Sequence, residues 1–257
     1  MTFLELGLYL YMINNFALTK IASNYFFYRW HPEVALRYLP IVDEINKLGK
    51  ESKVAEIGSG SFGIAPYLGR IIIGVDLRFT EPYYPLVDRI EASSINLPFK
   101  SNSFDTVICV DMLEHLNSKK RKIAISEMIR ISKQKIIIAV PCGKKAYSQD
   151  LILDKQYKKK FGRRYQFLVE QINYGLPVAD DITETIKLAA NNLNKIVVIK
   201  VVGNENLSLR YFLMKGWISR NFLLDLFFRR LLLLALPVMR KMNKEPTYRK
   251  IFYVNIK

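Results

Sequence analysis

Seven short apolar runs, several of them separated by helical stretches, constrain this 257-residue chain more than any other feature. They span Lys53–Ile57, Ile71–Asp76, Arg89–Ala92, Thr106–Val110, Lys135–Val140, Lys195–Val202 and Arg249–Ile256. Most are continuous rather than alternating, which is the pattern of strands covered on both faces. Phe62–Arg70, Lys119–Ile131 and Asp181–Asn192 read as the helices between them. Strands alternating with helices predict a mostly parallel sheet with crossover connections, a doubly wound α/β fold. Extra helices are expected at both ends: residues 1–50, where His31-Pro32 opens a second helix, and the long apolar segment Ser208–Met242 before the last strand. No internal repeat or low-complexity linker divides the chain, so one domain is expected over 1–257.

The sharpest motif lies between the first two strands. Val54-Ala55-Glu56-Ile57-Gly58-Ser59-Gly60-Ser61-Phe62-Gly63 follows a strand and opens a helix. Glycines there let the backbone turn sharply and approach a ligand closely. Asp76 ends the next strand, where a carboxylate can accept both ribose hydroxyls of an adenosine at the crevice of a Rossmann-like sheet. A plain glycine turn with a surface Asp is the alternative, and a lone glycine motif would not exclude it. Two cofactors fit the loop, a dinucleotide or S-adenosylmethionine. Glu56 favours the second, because an acid two residues before the first glycine can help hold a methionine amino group and would repel a pyrophosphate.

Further along, Leu97-Pro98-Phe99 is followed by Ser103-Phe104-Asp105, and Asp111-Met112-Leu113-Glu114-His115-Leu116 closes the fourth strand. With these elements the sequence resembles the class I S-adenosylmethionine-dependent methyltransferases of the type 11 group, over about residues 50–145. The resemblance implies that Glu56, Gly58, Ser59 and Gly60 hold the methionine end of the cofactor, that Asp76 binds its ribose and that Leu77 lies beside the adenine. The family commonly has an Asp four residues before the Leu-Pro-Phe element; Ser93 stands there with Ser94 adjacent, so a hydroxyl would replace a charge. Phe62 occupies the usual third glycine and Gly63 follows it, which requires a local change in the loop.

Asp111, Glu114 and His115 fall after the fourth strand, on the ligand side of a parallel sheet. Spacings of three and four bring them together if the segment is helical. They are candidates for the wall of the transfer pocket, Asp111 also for cofactor binding, with His115 a general base if the acceptor is a hydroxyl. The alternative is that Glu114 and His115 brace the following helix. With His31 the only other histidine, a metal site is not expected.

Composition bounds the partners. Thirty-nine Lys and Arg against 23 Asp and Glu give a net charge of +16, which favours an anionic surface without choosing one. From Arg210 to Lys257 there are eleven basic residues against Asp225 and Glu245. Lys155, Lys158, Lys159, Lys160, Arg163 and Arg164 interleave with Tyr157, Phe161, Tyr165 and Phe167, a pattern that can grip RNA or be a solvated insertion. Two cysteines, Cys109 and Cys142, exclude a disulfide scaffold and suggest a reducing, cytoplasmic setting. No uninterrupted apolar run reaches the roughly 18–20 residues of a membrane span. The nearest, Leu6–Thr19, is broken by Asn14 and Asn15, lacks signal-peptide flanks and reads as an amphipathic helix.

The segment Trp217–Arg230 with Leu231–Leu236 is too apolar for an ordinary exposed helix. A substrate lid, a dimer face and an anionic membrane interface all fit it. Its setting before the last strand also looks like methyltransferases of surface-glycan assembly. The expected activity is methyl transfer from S-adenosylmethionine to a small molecule or a lipid- or nucleotide-linked sugar, under helices from 1–35 and 205–242. RNA is the second acceptor class. A nicotinamide-dependent oxidoreductase and a non-catalytic membrane-peripheral binding protein are the alternatives from other classes.

Overall fold

The computed structural model describes residues 32–219 and 221–257. Residues 1–31, with the expected N-terminal helix and His31, lie outside the described residues, as does Arg220. Helix α1 (Pro32–Asn46) precedes β1 (Val54–Ile57), the short α2 (Ala65–Leu68), β2 (Ile72–Asp76), β3 (Val87–Glu91) and β4 (Phe104–Val110). A single helical turn at Leu113–His115 then leads to α3 (Ser118–Ile131) and β5 (Ser132–Pro141). Three helices follow, α4 (Gly143–Phe161), α5 (Gln166–Tyr174) and α6 (Ala179–Asn192), before β6 (Val197–Asn206). Helices α7 (Leu207–Ile218) and α8 (Phe222–Arg229), a tight turn at Leu231–Ala235 and α9 (Leu236–Met239) lead to β7 (Thr247–Ile256).

All seven expected strands form one sheet in the order β3-β2-β1-β4-β5-β7-β6. Strands β1 to β5 pair in parallel, with Ala55 opposite Ile73 and Val54 opposite Thr106. Strand β7 runs against both neighbours, with Phe252 opposite Ile138 and Val201. β1 is buried throughout and β4 nearly so, because helices cover both faces. On one face α3 and α6 supply Ala124, Ile125, Met128, Ile182 and Ile186. On the other, α1 and α2 supply Tyr38, Ile41, Ile45 and Tyr67. The chain winds outward through β1, β2 and β3, then crosses to β4. The carboxyl ends of β1 and β4 therefore flank the point where strand order reverses, and ligands of such sheets bind there.

Three expected elements differ. The helix over Phe62–Arg70 shrinks to α2, because Gly60 and Gly63 take positive φ and keep the preceding residues in a turn. The apolar stretch Ser208–Met242 is broken at three points. Asn221 ends the first break by accepting hydrogen bonds from Leu223 and Leu224 N–H, Arg230 closes α8, and Pro237 starts a new turn. The basic, aromatic insertion is ordered too: Tyr157 and Phe161 belong to the 19-residue α4, which ends at Gly162. Both cysteines are free and buried, Cys109 within β4 and Cys142 just past β5.

Gly216 on α7 shows how tightly the C-terminal helices join this frame. A Cβ there would lie 2.2 Å from Cγ of Phe228, which is buried with Leu36, Leu209, Leu213 and Met239. Gly216→Ala should therefore destabilise the protein by about 1–3 kcal/mol, the usual scale of overpacking, measured as a lowered midpoint in urea unfolding.

Candidate active site

The loop after β1 is fixed from beneath. Gly58 and Ser59 N–H both donate to the Val75 carbonyl, at 2.7 and 3.2 Å, tying the loop to β2. Gly58 has φ +80°, and a Cβ on it would fall 2.4 Å from Cγ of Met112. No other residue fits both constraints. Ser59 is buried and donates its hydroxyl to the Gly60 carbonyl.

Glu56 has a different place from the one expected. It is fully buried and absent from the cavity wall. One of its oxygens accepts from Tyr38 Oη at 2.9 Å and the other from Ile64 N–H at 2.6 Å. Both oxygens are engaged within the protein, so Glu56 braces the glycine loop against α1 rather than facing a ligand. Burial pushes its carboxyl up to about 8, against the opposing pull of the two donors and Arg37.

A cavity of about 840 Å³ opens at the carboxyl ends of β1, β2 and β4. Gly58, Asp76, Leu77, Ala92 and Ser94 line one end. Asp76 accepts from Gly60 N–H at 2.8 Å and Leu77 N–H at 2.7 Å, which aims the acid along the loop, while Leu77 is exposed at the rim. Ser94 lies on the wall. Ser93 and Gly60 do not, and the Ser93 hydroxyl faces Ile95 N–H at 3.5 Å.

The floor of the other end was not foreseen. Arg249 on β7 is 1% exposed and grips Asp111 with two hydrogen bonds, Nε to Oδ1 at 2.6 Å and Nη2 to Oδ2 at 2.7 Å. The same guanidinium donates to Glu33 at 2.9 Å and Glu205 at 3.0 Å. Arg37 lies 3.1 Å from Asp111 and 2.8 Å from Glu33. Asp111 has φ +48°, an uncommon backbone state for a residue with a side chain, held here by the bidentate pair. Beside it Arg210 stacks 3.5 Å over the Tyr248 ring and pairs with the buried Asp150, which also accepts from Tyr248 Oη. Burial pushes Glu205 up to about 7 despite Arg249.

The single helical turn brings Glu114 and His115 to the wall beside Asp111, as their spacing suggested. His115 Nδ1 is 3.0 Å from Oε2 of Glu170 on α5. Burial lowers the imidazole pKa more than Glu170 raises it. His115 Nε2 is 3.9 Å from Glu114, too far for a hydrogen bond. Glu114 is fully buried, and burial holds its carboxyl well above the usual range. Among the described residues its side chain takes one long hydrogen bond, 3.4 Å from Gln171 Nε2, and Glu114 Oε2 and Gln171 Oε1 have no hydrogen-bond partner. Tyr165, Phe167, Tyr174 and Trp217 complete an aromatic wall. Tyr157, Tyr165 and Trp217 pack on one another with centroids 5.0–5.5 Å apart, while Lys158, Lys159 and Lys160 remain exposed. Among the described residues no group of three or more His, Cys, Asp or Glu could hold a metal ion.

Glu33, Arg37, Glu170, Arg210, Tyr248 and Arg249 had no local motif to mark them. The one available signal was Arg249, which with Lys250 puts two cations into the final strand.

The sheet order, the glycine loop after β1 and the acid ending β2 define the fold of S-adenosylmethionine-dependent methyltransferases. Residues 55–140 match the family described as a methyltransferase domain. That match covers about a third of the chain, the stretch from β1 into β5 that carries the glycine loop, Asp76 and the Asp111–His115 turn. An uncharacterized protein of Methanocaldococcus jannaschii is 30% identical over 135 residues, 45% of this chain and 59% of that protein. The chain thus spans under two thirds of that relative. A SAM-dependent methyltransferase of Thermotoga maritima shares the fold with a TM-score of 0.51 at 16% identity, covering 87% of this chain and 91% of that one. The magnesium protoporphyrin IX methyltransferase of Synechocystis, crystallised with S-adenosylhomocysteine, aligns with a TM-score of 0.50 at 14% identity, covering 88% and 84%.

Two predictions follow from the buried charges. Glu56 has a folded pKa above its ordinary value of 4.5, so its stabilising contribution is complete below that value and lost as pH rises through about 8. Thermal midpoints of the wild type should fall more steeply across this window than those of Glu56→Gln; parallel profiles would contradict it. Arg249→Met should lower stability by about 3–5 kcal/mol in urea, since the buried Glu205 loses its paired cation while Glu33 and Asp111 keep Arg37.

Proposed function

We propose that this protein transfers a methyl group from S-adenosylmethionine to a hydroxyl of a small-molecule acceptor, with a lipid- or nucleotide-linked sugar the favoured class. One observation carries the reading. A single cavity joins Gly58, Asp76, Leu77 and Ser94 at one end to Arg37, His115, Glu170, Arg210 and Trp217 at the other. Its volume of about 840 Å³ suits two small ligands end to end.

The residues fit the cofactor. Asp76 would accept the ribose hydroxyls, Leu77 and Ser94 would border the adenine, and the glycine loop would admit the methionine end because Gly58 carries no Cβ. Ser93 would act through the turn that sets Ser94. When bound, S-adenosylmethionine supplies an electrophilic methyl group. The chain's own part is to align the acceptor and take up its proton, and alignment is the larger contribution in a displacement of this kind. With Nδ1–H donated to Glu170, His115 presents the Nε2 lone pair, and burial keeps it neutral at pH 7. Asp111, pinned by Arg249, and the buried Glu114 shape the wall beside it. The aromatic wall offers faces to a sugar or other ring. Tyr157, Tyr165 and Trp217 are engaged in packing on one another, which weighs against their stacking on RNA bases.

Calorimetric titration should show S-adenosylhomocysteine binding and no NAD binding. Asp76→Ala should weaken the first by about 1.5–3 kcal/mol, the scale of hydrogen bonds to a charged group. NAD binding, or unchanged affinity in the variant, would overturn the assignment. With an acceptor in hand, His115→Ala should slow turnover about 10²- to 10⁴-fold. Glu170→Gln should shift the ascending limb of the pH–rate profile to lower pH, because Glu170 raises the pKa of His115.

A further inference from the structure

The outer face of residues 222–242 has no role in the cavity chemistry. Phe222, Leu223, Leu234 and Val238 are 76%, 70%, 85% and 67% exposed, and Leu224, Leu226 and Leu231 are exposed as well. Contiguous apolar surface of this kind is rare on a monomer and marks an interaction site. It is also held in place. Phe228 and Met239 of the same segment are buried against Leu36, Leu209 and Leu213, so the outward leucines are carried on an anchored scaffold.

We infer that this face docks on an anionic lipid surface. Charge decides between a bilayer and a second copy of the chain. Eleven Lys and Arg against two acids lie in residues 210–257, and the chain carries +16, so two such faces would repel while anionic headgroups would attract. Asp225 is neutralised by Arg229, and Lys241 and Lys244 are exposed beside the apolar segment. Short helices with apolar residues outward and basic residues at the margin suit the boundary between headgroups and acyl chains. No helix among the described residues is long and apolar enough to cross a membrane, so docking is peripheral. Arg229 and Trp217, at the end of α8 and on α7, also line the cavity. Docking through α8 therefore brings the cavity beside the headgroup layer, where an acceptor carried on a lipid would be within reach.

Flotation of the full chain with vesicles tests this. The protein should float with phosphatidylcholine mixed with an equal amount of phosphatidylglycerol, and not with phosphatidylcholine alone, with binding that falls as salt is raised. Replacing Phe222, Leu223 and Leu234 together by Gln should weaken partitioning at least roughly tenfold, given the acyl burial lost. Calorimetry with S-adenosylhomocysteine reports the fold and the cofactor site separately: unchanged affinity in the triple variant shows that lost flotation comes from the face itself. Absence of wild-type flotation at low salt would overturn the inference, as would equal flotation of the triple variant. So would a wild-type dimer in light scattering that the variant converts to a monomer without any vesicle binding, since the face would then join two copies.

Discussion

The pairing of Arg249 with Asp111 organises the ligand side of this molecule. Arg249 enters from β7, the one reversed strand, and reaches the turn after β4, the N-terminal end of α1 and the end of β6 through Asp111, Glu33 and Glu205. Four elements far apart in sequence thus converge on one guanidinium that is 1% exposed. A buried ion pair is not in itself a large source of stability, because desolvation offsets most of the attraction. Its effect is on position. A planar fork engaging both oxygens of one carboxylate allows little play, so it fixes where Asp111 sits and holds that residue at positive φ. Met112, Glu114 and His115 follow directly, and their placement depends on the same turn.

Glu56 plays the corresponding part under the cofactor loop. With its oxygens held by Tyr38 and Ile64, it couples α1 to the glycine turn at the cavity's other end. Helix α1 touches both systems, through Tyr38 to Glu56 and through Glu33 and Arg37 to Asp111 and Arg249. The two ends of the cavity are therefore joined by one helix whose buried face also packs on the sheet.

The frame of the fold was legible because local chemistry encodes it. Continuous apolar runs mark buried strands, and all seven form, with shifts of a few residues at their ends. Gly58, Asp76 and the Asp111–His115 segment stood out because backbone freedom and strand-end carboxylates leave a mark at short spacing. Glu56 was noticed for the right reason and given the wrong surroundings: a sequence shows that an acid precedes the glycines, whereas Tyr38, eighteen residues earlier, and Ile64 decide which way it faces. The breaks in the apolar segment after Ser208 rested on small cues, the capping side chain of Asn221 and Pro237, which the leucine run masked. Arg37, Glu170, Arg210 and Arg249 join the site only through tertiary contacts, and no spacing along the chain could have placed them together.

The central claim is that one cavity at the β1–β4 switch point holds S-adenosylmethionine beside His115. A crystal structure of the complex with S-adenosylhomocysteine tests it most directly. The account predicts ribose hydroxyls on Asp76, adenine between Leu77 and Ser94, Glu56 still bonded to Tyr38 and Ile64, and the sulfur directed toward the His115 and Asp111 wall. Ligand bound elsewhere, or Glu56 swung out to meet it, would contradict the account.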